Sequence, residues 1–85
     1  MTRDELANIC VQFRDAPVQR GDSAQLAVET FNGWLERQRE RLRLAVLLQG
    51  RGEAVPRCLA DELRRAAATT EARRALLRKV YGSEF

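Results

Sequence analysis

Two clusters of helix breakers, Asp15-Ala16-Pro17 through Gly21 and Gly50-Arg51-Gly52 through Pro56, cut this chain into three segments. Each segment repeats its apolar residues with a helical period. No run of β-branched or aromatic residues alternates with polar ones, which argues against strands. The expected fold is all-α: a small bundle of three to four helices over residues 1–81, built around one long central helix at about 23–49.

Thr2 and Glu5 stand three apart in a capping-box arrangement, where each side chain satisfies an amide at the helix start. Leu6, Ile9, Cys10 and Phe13 follow as one apolar stripe. Because the residue before a proline avoids the helical region, the first helix should span about 3–14. Asp22 or Ser23 is the expected cap of the second helix, with Asp22 and Gln25 as a weaker capping box. Glycine just past a helix end lets the chain turn, so Gly50-Arg51-Gly52 should stop it. Pro56, lacking an N–H that a first turn would leave unpaired, should open the next.

The stretch 56–81 poses a conflict. Leu59, Leu63, Ala66 and Ala67 share a face, but the same phase carries Arg73 and Arg74 into that stripe. A break at Thr69-Thr70 removes the conflict: Thr70 caps a short last helix, Glu71 sits in its first turn, and Leu76, Leu77, Val80 and Tyr81 form its buried face. Two helices are therefore expected here. Gly82-Ser83-Glu84-Phe85 reads as a cloning-derived tail.

A chain of 85 residues has a thin core, burying roughly 60–65% of its unfolded surface. Domains this small often lean on disulfides, a metal or a partner. Cys10 and Cys58 make at most one bridge, and with no histidine they do not compose a zinc site. The opening Met1-Thr2-Arg3-Asp4-Glu5 lacks the basic-then-apolar pattern of a secretory signal, so a reduced, cytoplasmic setting is expected. By elimination, the bundle is expected to pack into an oligomer or onto another protein.

The long helix says where. Ala24, Val28, Phe31, Leu35, Leu42 and Val46 should face the core, with Ala27, Trp34 and Ala45 on the shoulder. Leu44-Ala45-Val46-Leu47-Leu48 is apolar nearly all round and needs neighbours on every side. The expected protein interface is Trp34, Leu44, Leu47 and Leu48, with Phe31. Such a surface suits a homodimer, a docking subunit, a chaperone or a small inhibitor.

The chain carries fourteen arginines and a single lysine, Lys79, for a net charge of +3. Arg37, Arg39, Arg41 and Arg43 outnumber Glu36 and Glu40 and leave a positive ridge, the possible anion or nucleic-acid contact of a small regulator. The pairs Glu36–Arg39, Arg37–Glu40 and Glu40–Arg43 temper that ridge. Nucleic acid ranks second, because no stacking platform, zinc finger or helix-turn-helix spacing is present.

Catalysis is not expected. Histidine is missing, there is no Gly-rich phosphate loop, and the adjacent acids Asp4-Glu5 and Asp61-Glu62 diverge around their helices. Cys10 reads as core, and Cys58 near a helix start as packing. No catalytic, cofactor or metal residue is assigned, no small-molecule substrate is evident, and no stretch is apolar enough to span a bilayer.

Overall fold

The computed structural model describes all residues except 19, 20, 22 and 83–85. The described residues form three helices and no strand: α1 (Arg3–Gln12), α2 (Gln25–Gly50) and α3 (Arg57–Tyr81). The tail 83–85 and the cap expected of Asp22 lie outside them.

Local chemistry sets the ends. The Thr2 hydroxyl accepts the Glu5 N–H at 3.1 Å, so α1 starts as its capping box dictates. α2 begins at Gln25, slightly later than expected, and its cap position is held by buried Ala24 in place of Ser23. Its other end is a Schellman motif: Glu53 N–H donates to Leu48 O at 2.9 Å and Gly52 N–H to Gln49 O at 3.0 Å. The motif needs a left-handed residue, and Gly52 supplies it at φ 76. Pro56 occupies the cap of α3, one residue outside the position expected.

α2 and α3 form a long antiparallel hairpin, and α1 lies against one side of it, parallel to α3. Arg41 pairs with Glu62 across the hairpin at 3.4 Å, while Glu5 of α1 pairs with Arg64 and the Asp15 carbonyl accepts from Arg74. At 1.5 Å per residue the 26 residues of α2 span about 39 Å, whereas the 10 residues of α1 span about 15 Å. The result is a rod of 45 × 17 × 17 Å. Its radius of gyration, 14.2 Å, exceeds the roughly 12 Å of a compact chain this long.

Leu6 and Ile9 of α1 and Phe13 at its C-cap meet Phe31, Leu35, Leu42 and Ala45 of α2 and Leu63, Ala66 and Leu77 of α3 in one core. Full burial of a leucine such as Leu35 or Leu63 stabilises by about 1.5–3 kcal/mol. Val46 does not join it, remaining 45% exposed while Ala45 is fully buried. The Glu5–Arg64 and Arg41–Glu62 pairs put the start of α1 level with residue 41 of α2, so α1 ends short of Val46.

The expected break at Thr69-Thr70 is absent, because α3 is continuous. Thr70 is buried, and its hydroxyl donates back to the Ala66 carbonyl at 2.8 Å, so it needs no partner outside its own helix. The conflict over the arginines is settled by reach. Arg74 snorkels to the Asp15 carbonyl and Arg73 lies over the Trp34 ring, so neither guanidinium enters the core. Unbroken phase then buries Leu63, Ala66, Thr70 and Leu77, and leaves Leu76 and Val80 each 59% exposed instead of in the buried face expected for them.

Candidate functional site

Because α1 is short and one-sided, the opposite face of the α2–α3 hairpin has no third helix over it. Ala27, Thr30, Trp34, Gln38 and Arg41 line it from α2; Glu62, Arg65, Thr69, Arg73 and Leu76 line it from α3. Spacings of three and four keep each set on one side of its helix.

This face is a groove in two parts. The outer part, about 290 Å³, is apolar and lies among Ala27, Thr30, Phe31, Arg73, Leu76 and Leu77. The inner part, about 350 Å³, lies among Trp34, Gln38, Arg41, Glu62, Arg65, Ala66 and Thr69. Between them the Arg73 guanidinium sits 4.6 Å from the Trp34 ring centroid, an exposed cation–π contact worth about 0.5–1 kcal/mol. Trp34 rests on Phe31, ring centroids 6.0 Å apart, which fixes the indole as the groove's floor.

The groove is positive. Glu62 is its carboxylate and is engaged by Arg41, whose guanidinium also donates to the Gln38 Oε1 at 2.8 Å. Arg65 donates to the Asp61 carbonyl of its own helix at 3.4 Å. Among the described residues neither Arg65 nor Arg73 has a carboxylate partner.

Compared with protein families, curated proteins and solved structures, the chain has no match.

The structure separates the residues expected to act together. Phe31 is 3% exposed, a core residue that reaches the groove only as a wall. Trp34 and Leu48 are half-buried. Leu44 and Leu47, each 50% exposed, sit on the hairpin tip beyond α1 and line neither part of the groove. The arginine ridge is likewise dispersed. Arg39 turns toward α1, donating to the carbonyls of Phe13 (2.6 Å) and Arg14 (3.1 Å). Arg41 turns the opposite way, into the groove. Arg43 joins Arg39 on Glu36, whose carboxyl is held below its ordinary pKa, first by the hydrogen bond from Arg43. Arg37 is exposed. Of the pairs expected on this helix Glu36–Arg39 forms, while among the described residues Arg37–Glu40 and Glu40–Arg43 do not.

Sequence reasoning did not gather Thr30, Arg65, Thr69, Arg73 and Leu76 into one site. For those on α3 the signal is the spacing 62, 65, 69, 73, 76, which shows only if α3 is read straight through Thr69-Thr70.

No metal-binding cluster of His, Cys, Asp or Glu occurs among the described residues, and Cys10 and Cys58 are free thiols. No helix among them is long and apolar enough to cross a membrane.

Proposed function

We propose that this chain is a non-enzymatic protein-interaction module that docks another protein in the open groove between α2 and α3. The observation carrying this reading is the groove itself: an apolar hollow of about 290 Å³ beside a half-buried tryptophan, on the one long face that α1 leaves uncovered. Concave apolar surface rimmed by charge is the ordinary form of a helix-binding site. Tryptophan and arginine are also the side chains that most often dominate binding energy. Leu44 and Leu47 stand exposed at the hairpin tip, outside this groove, and are not part of the proposed interface. The nucleic-acid alternative draws less support, since Arg39, Arg41 and Arg43 are all engaged within the fold.

A photo-crosslinking residue placed at Thr30 or Thr69, on the groove, should form a discrete protein adduct in the native host. The same residue at Ala7 or Asn8, on the exposed side of α1, should not. Equal crosslinking from both faces, or none from either, contradicts the docking role.

A further inference from the structure

Resting on that docking role, we infer that the occupant of the groove is an amphipathic helix of another protein, apolar along one stripe and acidic on its flanks, and not a second copy of this chain. The groove runs between two antiparallel helices whose lining residues recur every three or four positions, so an occupant presenting apolar residues at i, i+3 or i+4, and i+7 matches it. Ala27, Leu76 and Leu77 at the outer part offer apolar walls for its large side chains.

Charge selects the kind of helix. Arg41, Arg65 and Arg73 face the groove against one carboxylate, Glu62, which Arg41 already holds at 3.4 Å. Among the described residues, two guanidiniums thus meet the occupant without a carboxylate partner. A two-fold dimer places each patch against its own copy, so this positive lining would face itself; like charges set opposite one another across an interface are costly. Acidic flanks instead supply what Arg65 and Arg73 lack, through the two-pronged geometry that guanidinium and carboxylate share.

Arg73 adds a mechanical element. It lies on the indole between the two parts of the groove, held by a contact that a partner carboxylate can replace. Drawn off the ring, it exposes the Trp34 face and joins the two hollows into one trough.

The test is selection from a displayed library of 18-residue helical peptides, with leucine fixed on one stripe and the flanks randomised, against the intact chain. The expected result is enrichment of Asp and Glu on the flanks, with affinity falling at least tenfold for Arg73→Glu and for Arg65→Glu, and unchanged for Leu47→Glu. Circular dichroism of each variant confirms that the helices persist. Flanks without acidic bias, affinities indifferent to both arginine variants, or no enrichment at all overturn the inference. Docking itself survives those results if a photo-crosslinking residue at Thr30 or Thr69 captures a protein or if Leu76→Glu dissolves an oligomer of the chain; the second result makes a second copy the occupant. Tight, salt-sensitive binding of a 20-nucleotide single strand that Arg73→Glu abolishes overturns both in favour of nucleic acid.

Discussion

Arg39 of α2 donates its Nε–H to the carbonyl oxygen of Phe13 at 2.6 Å, tying the C-cap residue of α1 to the long helix. α1 ends without a left-handed glycine and without a basic residue in its last turn, and the carbonyls at and just past its C-cap take donors from the other two helices. Arg39 serves Phe13 and Arg14, and Arg74 serves Asp15. A hydrogen bond to a charged group contributes about 1.5–3 kcal/mol, and partial exposure puts this one at the low end. Arg39→Ala should therefore lower the stability seen in urea unfolding by about 1–2 kcal/mol. Urea curves unchanged by the substitution would show that α1 is held by its apolar stripe alone.

Glu71→Pro distinguishes one C-terminal helix from two. If Thr70 capped a separate helix, residue 71 would occupy its first turn, where proline is welcome. In a continuous α3 the ring removes an internal hydrogen bond and clashes with the preceding turn, costing about 3 kcal/mol or more. The variant should unfold at far lower urea than the parent, and near-parental stability would restore the break.

Acid should weaken the fold through Glu5 and Glu36. Both carboxyls are held below their usual 4.5, Glu5 first by the hydrogen bond from Arg64 and Glu36 first by that from Arg43. Unfolding releases those contacts and restores the ordinary values, so the unfolded chain binds protons first as pH falls. The stabilisation is thus fully present above 4.5 and is lost as pH drops through the lowered folded values. Urea midpoints should be level from neutral pH to about 5 and then decline. Glu5→Gln should make the decline shallower; a slope identical to the parent's excludes the Arg64 contact as its source.

Core and groove substitutions should part company. Leu63→Ala removes a fully buried side chain where all three helices meet and should cost about 2–5 kcal/mol, enough to unfold much of a domain this thin. Leu76→Glu and Leu47→Glu alter half-exposed side chains and should change stability by no more than about 0.5 kcal/mol. Thermal melts of the three variants check this, and a large loss for Leu76→Glu would mark it as core.

These expectations show what the chain's pattern disclosed and what it hid. The capping box at Thr2, the stripe of α1 and the glycine stop of α2 are local devices, readable from a few adjacent residues, and each occurs as expected apart from small shifts at the ends. Thr70 misled because a buried threonine can bond to its own helix, which looks in sequence like a cap. Arg39, Arg73 and Arg74 misled because periodicity treats arginine as a surface residue, whereas its length lets the stem lie inside a stripe and the head reach a carbonyl or a ring. The groove stayed hidden for a related reason: it belongs to neither helix singly, and exists only once α1 has settled on the other side. Val46 is exposed because α1 stops short of it, and Leu76 because α3 runs on unbroken and turns Thr70 and Leu77 inward instead.

Trp34 is the chain's only tryptophan and forms the floor at the middle of the groove, so its fluorescence reports occupancy directly. Acrylamide quenching of Trp34, measured with and without a saturating acidic helical peptide, should fall severalfold on binding, with emission shifted to the blue. Quenching and emission left unchanged while the peptide is bound would place the docking surface elsewhere and contradict the account.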